Sequence, residues 1–359
     1  MSCALKCLSI VSAAIVILLP AFAAHAQGTA ADELIVHTTP ADLSAAQNAA
    51  SGDRHAYPAR TAAGVAFRAR QAASQSDSNR DSGSAHARGP FLQYAGDVST
   101  LGGRVIKDAE SHAIYLQMQP GADCTLATCW GEPERYLRDL GASEFIHLVD
   151  QYVGLTGQNR YTVGFHARVI YSPQATPLTD VDIQAFVHAV AAQTGATGYR
   201  HIYHVFLPPG QDECIDATYT GCYSPDNPAT FYYCAYHNYA EFSDIGHVLY
   251  TVHPYADVPG CQLAPGTPNG QLVDSVASIV SHEQFETITD PDDTGWKNVD
   301  GSNLGNQEIA DECVFFALPG QGVYFDVPAF LIGAHRYAVQ LIYSNEQHAC
   351  SSAPSRGHP

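Results

Sequence analysis

The densest chemistry in this chain lies in Ser281-His282-Glu283-Gln284-Phe285-Glu286-Thr287-Ile288-Thr289-Asp290-Pro291. A helix turns ~100° per residue, so positions four apart share one face. His282 and Glu286 therefore point the same way and can grip one cation, while Glu283 sits one step round the helix. This is the arrangement of the zinc-protease helix H-E-x-x-H, in which two ligands flank a general base, with glutamate replacing the second histidine. The chemistry it predicts is hydrolysis. His282 and Glu286 hold Zn²⁺ or another divalent metal, and Glu283 takes the proton of the attacking water. The residues just before the motif, Val276, Ala277, Ile279 and Val280, are apolar almost all round, which predicts a buried helix. Buried carboxylates are costly unless paired or metal-bound. The competing reading is a buried ionic network without metal.

A third ligand has to come from elsewhere. The segment Asn306-Gln307-Glu308-Ile309-Ala310-Asp311-Glu312-Cys313 offers Glu308 first, completing a His/Glu/Glu set. Asp311 then suits a hydrogen bond to the far nitrogen of His282, or an exchange of roles with Glu308. Asp292 stands at the metzincin spacing and ranks third, because Thr289 occupies the glycine position and Pro291 breaks the turn. His237 and His253 are candidates for the cleft wall and for stabilising an oxyanion, and each is equally well read as a structural core histidine. Asp290, Asp292 and Gly295 mimic the start of a calcium loop. Gly301 stands where that loop needs glutamate, so an EF-hand is excluded and only a looser Ca²⁺ site stays open. A Gly-rich phosphate loop and a G-x-S-x-G elbow are both absent from the sequence.

These residues need elements to position them. Val273–Thr289 reads as the site helix, stopped at Asp290-Pro291 because the residue before proline avoids helical angles. Thr179–Gln193 reads as a second helix, opened by Thr179 with Asp182 in a capping-box position. Pro133–Val153 reads as one or two helices. Strands are expected at Val105–Gln117, Tyr161–Tyr171, Arg200–Leu207, Thr230–Tyr236, His247–His253, Val323–Val327 and Tyr337–Tyr343. His247–His253 is expected to be an edge strand able to pair with an extended peptide. Together these predict an α+β fold, a zincin-like mixed sheet packed on an active-site helix and stabilised by disulfides.

Residues 1–26 read as a secretory signal peptide: Lys6, an apolar run from Leu8 to Ala24, then Ala24-His25-Ala26 before Gln27. The apolar core is short for a membrane anchor, and the mature chain is expected to have no membrane span. Residues 27–90 are rich in Ala, Ser, Gln, Arg and Asp and are expected to be a disordered linker or pro-segment. The folded domain is expected over 91–350, with a tail at 351–359. Export predicts an oxidising compartment, extracellular or periplasmic, and disulfides among Cys124, Cys129, Cys214, Cys222, Cys234, Cys261, Cys313 and Cys350. The pairing is open in the sequence, and neighbour logic favours Cys124–Cys129, Cys214–Cys222, Cys234–Cys261 and Cys313–Cys350. The 17 Lys plus Arg against 36 Asp plus Glu argue against nucleic acid or an anionic membrane as partners.

Several runs resemble a known group. They are Tyr203-His-Val-Phe-Leu-Pro-Pro209, Cys234-Ala-Tyr-His237, Val248-Leu-Tyr-Thr-Val-His-Pro-Tyr255 with Cys261, the His282 segment, Gly295-Trp296 and Glu308-Ile-Ala-Asp-Glu-Cys313. In order and spacing they are similar to secreted bacterial proteins with a metallopeptidase-like site, distantly similar to the plant phosphate-induced, or EXORDIUM-like, proteins. The resemblance covers roughly Val105 to Cys350 and is most specific from His282 to Cys313. It implies a layout shared with plant relatives that lack the His-Glu pair, which is intact here. Two function classes follow. One is a secreted zinc metallohydrolase acting on peptide or protein. The other is a non-catalytic extracellular module binding cell-wall carbohydrate or a protein partner, with which the 20 tyrosines are compatible.

Overall fold

The chain is described from a computed structural model, over residues 34–52, 54–64, 66, 97–118, 126–171, 176–298, 307–314 and 327–355. The expected signal peptide lies outside the described residues. The main sheet is built from eight strands: β1 (Leu34–His37), β2 (Ala50–Ser51), β3 (His55–Pro58), β4 (Ala109–Met118), β5 (Tyr161–Tyr171), β6 (His201–Phe206), β7 (Tyr233–Phe242) and β8 (Gly246–His253). Their order is β1-β5-β4-β6-β8-β7, with β2 and β3 both added along the far side of β7. From β1 to β8 every pairing is parallel, while β7 runs antiparallel to β8, β2 and β3. The parallel core is largely buried, with polar side chains set among its apolar ones. In β6, all residues after His201 are buried.

Four helices cover the sheet: α1 (Pro40–Gln47), α2 (Pro133–Gly141), α3 (Asp180–Thr194) and α4 (Gln271–Thr289). Side chains alternate between faces along a strand, and the helices divide accordingly. Tyr236 of β7 and Tyr250 of β8 send their hydroxyls to Asp180 of α3. The next residue on β7, His237, turns the other way and meets Glu286 of α4. So α3 and α4 lie on opposite faces. The expected capping box forms: the Asp182 carboxylate accepts from the Thr179 backbone N–H and hydroxyl, each at 2.8 Å. Because β5, α3 and β6 make a parallel crossover, the fold is more interleaved than the α+β expectation; it is mixed α and β around one large mixed sheet.

Two expectations are corrected here. Residues 27–90 are not a linker throughout. Within them β1, α1, β2 and β3 are ordered parts of the main sheet and its cover, and the domain therefore begins well before residue 91. The composition is poor in large apolar residues, but these short elements lean on a core that the rest of the chain builds. Nor is His247–His253 an edge strand. As β8 it is paired on both sides, with β6 and with β7, and has no free ladder for a peptide.

Most other elements fall near their expected places. Tyr161–Tyr171 matches end to end, and the Val105 strand starts at Ala109. The Tyr337–Tyr343 stretch divides into His335–Ala338 and Ile342–Ser344, while residues 323–326 lie outside the described residues. Three disulfides join Cys214 to Cys222, Cys234 to Cys261 and Cys313 to Cys350. Cys129 is also disulfide-bonded; Cys124, its expected partner, lies outside the described residues.

Candidate metal centre

The centre forms where α4 crosses the β7 end of the sheet. α4 is buried on every side from Asp274 to Thr289, so its polar residues face protein and not water. It stops where expected: the Asp290 N–H closes the last turn on Glu286, and Asp290 Oδ1 accepts from the Gly295 N–H at 2.6 Å. A Cβ on Gly295 would stand 2.1 Å from the Thr289 carbonyl, so only glycine lets the chain fold back this tightly.

On the buried face His282 Nε2 lies 3.1 Å from Glu286 Oε2, as the four-residue spacing requires. Asp311, from a short 3₁₀ turn at Asp311–Cys313, brings Oδ1 to 3.7 Å from the same nitrogen. The turn is locked to the helix, since the Asp311 N–H donates to Glu286 Oε1 at 2.9 Å. These three residues converge closely enough to hold one ion. A second triad, His237, Glu286 and Glu308, shares Glu286 with the first. There His237 Nε2 lies 3.0 Å from Glu308 Oε2 and 3.7 Å from Glu286 Oε2. A tetrahedral zinc with bonds of ~2.0–2.1 Å holds its ligand atoms about 3.4 Å apart, which these separations bracket.

Glu308, ranked first as the third ligand, is thus set with His237, and Asp311 is the carboxylate set with His282. Asp311 meets the nitrogen of His282 that faces Glu286, not the far one. The far nitrogen, Nδ1, lies 3.3 Å from the Gln340 amide, which also donates to the Ala310 carbonyl at 2.6 Å. Asp292 is elsewhere, bound to the Tyr199 hydroxyl and to His247. His253 is on a neighbouring strand, where Nε2 meets the Thr251 hydroxyl at 2.6 Å and its ring stacks on Phe206 and His204. Of the two cleft histidines, then, His237 joins the centre and His253 is a core residue. Glu283 is fully buried. Its charge is felt by Tyr57, whose ring meets His282 edge-on at 4.8 Å.

Sequence reading missed His55. It lies directly opposite His237 in the β3–β7 ladder, so both side chains point to α4, with rings stacked at 5.4 Å. His55 Nδ1 is 3.2 Å from Glu308 Oε2, and Nε2 is 2.6 Å from Asp293 Oδ1 and 3.1 Å from Lys297 Nζ. Lys297 also contacts Asp290 at 3.3 Å and pairs with Asp293. No local sequence signal marks His55, because its place depends on a strand pairing.

The electrostatics are lopsided. Glu283, Glu286, Asp290, Glu308 and Asp311 are all buried, and Lys297 is the only lysine or arginine in the buried set among the described residues. Burial, then the charges of Glu286 and Asp290, push Glu308 well above the usual carboxylate range, against the pull of Lys297. Burial pushes Glu286 up as well, opposed by His282. His237 is held well below the ordinary histidine value, first by burial and then by His55 and Lys297. His55 is brought down to about 4 by burial and Lys297. Both shifts favour the neutral imidazole in His55 and His237, the form that ligates metal. Among the described residues, Glu308 Oε1 is buried with no hydrogen-bond partner. A divalent cation would supply the missing positive charge, and the donors offered to it are imidazole nitrogen and carboxylate oxygen.

No family model, curated protein or solved structure matches this chain.

Proposed function

We propose that this protein is a metal-dependent hydrolase, acting on peptides or proteins in an oxidising compartment outside the cytoplasm. The observation that carries the proposal is the convergence of His282, Glu286 and Asp311 in an anion-rich, buried centre. The three disulfides and the apolar leader support the compartment. His282, Glu286 and Asp311 would hold the cation, Zn²⁺ in the first instance, with Glu308 and His237 beside them around the shared Glu286. When bound, the metal supplies Lewis acidity toward a carbonyl and toward water. Glu283 accepts a proton from the attacking water and returns it to the leaving amine. His55 and His237 hold Glu308 in place, and the Glu286–Asp311 backbone hydrogen bond keeps the 3₁₀ turn in register with the helix. The resemblance to metallopeptidase-like secreted proteins agrees with this reading.

The rival is a non-catalytic extracellular module in which the centre is structural. The Lys297–Asp293–His55–Glu308 chain favours it, because it already links half of the centre, without metal, into a hydrogen-bonded network anchored by the Lys297–Asp293 ion pair. Bound metal and hydrolysis of casein or a peptide library, measured on four variants, separate the two. Glu283→Gln should fold, keep its metal and lose hydrolysis ~10²-fold. Glu286→Gln and Asp311→Asn should lose the metal, and Glu308→Gln should weaken its affinity by ~10–100-fold. If Glu283→Gln sheds metal as readily as Glu286→Gln, Glu283 is a ligand and the base assignment is wrong. Wild-type metal content in all four would replace the hydrolase with the binding module.

A further inference from the structure

On the opposite face of the sheet from α4, a second group of metal-type donors converges. Ser111 of β4 reaches Gln284 of α4, so its neighbour His112 points away, toward Tyr203 at 5.3 Å between rings. Tyr203 in turn bonds the Ala196 carbonyl just beyond α3. Here His112 Nε2 stands 2.9 Å from His201 Nδ1, and Glu110 Oε2 stands 4.0 Å from the first and 3.9 Å from the second. The parallel β4–β6 pairing brings them together, since Glu110 lies directly opposite His201. The strand beside them contributes space. A Cβ on Gly164 of β5 would fall 2.5 Å from both Glu110 Oε1 and the His112 ring.

We propose that Glu110, His112 and His201 form a second, independent binding site for a divalent transition-metal ion. Two imidazole nitrogens and one carboxylate oxygen make a borderline donor set, suited to Zn²⁺, Cu²⁺ or Ni²⁺ and poorly suited to Ca²⁺ or Mg²⁺. The three separations bracket the ~3.4 Å expected between ligands of a tetrahedral zinc. Both rings are available as neutral ligands. Burial and the neighbouring His201 bring His112 down to about 4, against a backbone contact at Phe165. Burial also lowers His201, with Glu110 opposing and Arg200 assisting. The site is open on one side: the Glu110 side chain is 40 % exposed and that of His201 23 %, while His112 is 1 %. An ion can therefore enter from solvent and keep water in its remaining positions. Its structural effect would be to pin the starts of β4 and β6 together.

Zn²⁺ titration of the apo protein by calorimetry tests this, with metal counted after gel filtration. Wild type should bind two equivalents, one of them lost in His201→Ala and in Glu110→Gln. His282→Ala should keep the second site. If the α4 centre binds nothing, wild type should bind one equivalent that His201→Ala abolishes, so the two proposals fail separately. Undiminished binding in both His201→Ala and Glu110→Gln would overturn the second site, as would a single equivalent lost in His282→Ala alone. His201 and Glu110 are partly exposed, so these substitutions leave the core intact.

Discussion

Neighbouring side chains on β7 serve two different networks. His237 goes to the candidate metal centre, and Tyr236 goes to a buried cluster around Asp180. There Tyr236 also donates to Glu213 Oε1 at 3.0 Å, and Tyr233 donates to the Glu213 carboxylate. Burial and the nearby Asp180 hold the Glu213 carboxyl up at about 8, against its hydrogen bonds and Arg54. A carboxyl raised above its ordinary value near 4.5 favours the folded state while it stays protonated. Its contribution is complete below about 4.5 and is lost as pH rises toward 8. Glu213→Gln keeps the protonated shape and cannot ionise. Urea unfolding from pH 4 to 9 should show the variant gaining on wild type as pH climbs; a constant difference would refute the assignment. Residues whose roles depend on near neighbours were legible in the sequence. His282 and Glu286 are one helical turn apart, and the cysteine pairs that the structure describes are sequence neighbours. The choice between Glu308 and Asp311 was not legible, because it turns on how a 3₁₀ turn presents each side chain to the helix.

At the scale of elements, α4 and its stop were readable from apolar density and Asp290-Pro291, and α3 from its capping box. The N-terminal arm was not, since α1 and β2 together carry one large apolar residue, Leu43, and β3 is only four residues long. What secures the arm is long-range. Arg54, just before β3, donates to Asp180 Oδ2 from Nη2 at 2.8 Å and from Nε at 3.2 Å. Asp180 is fully buried and also receives Gln184, Tyr236 and Tyr250. Arg54→Ala removes the one cation from that cluster. Breaking a buried pair from one side costs ~3–5 kcal/mol, and the neutral donors that remain place the expected loss near the lower bound, about 3 kcal/mol. Denaturant unfolding measures it. A loss below ~0.5 kcal/mol, the range of ordinary surface changes, would mean that the arm is held by its strand pairing and packing without the Arg54–Asp180 pair.

For the whole molecule, local patterns gave the strands but not their order. Nothing in β8 announces that it is interior, because an edge strand and a central strand of similar composition differ only in what pairs beside them. The arm carries the same lesson into a test. A pro-segment can be cut away without unfolding the domain, whereas β1 and β3 close the two ends of this sheet and β3 delivers His55. A chain started at Phe91 should therefore unfold without a cooperative transition or be recovered insoluble, while one started at Gln27 should unfold cooperatively. A soluble, cooperative protein from Phe91 would restore the removable-segment reading.

The pairing of His55 with Asp293 spans 238 residues, and it sets an order of events during synthesis. The strand that carries His55 leaves the ribosome early, but its partners Asp293, Lys297 and Glu308, all beyond α4, emerge only near the end. The disulfide holding the 3₁₀ turn waits for Cys350, 37 residues beyond Cys313. Non-local closure of this kind is slow, so the centre is among the last parts of the molecule to assemble. The side chains of the candidate centre therefore meet only when the chain is nearly complete, so a chain cut short before Glu308 lacks the centre altogether.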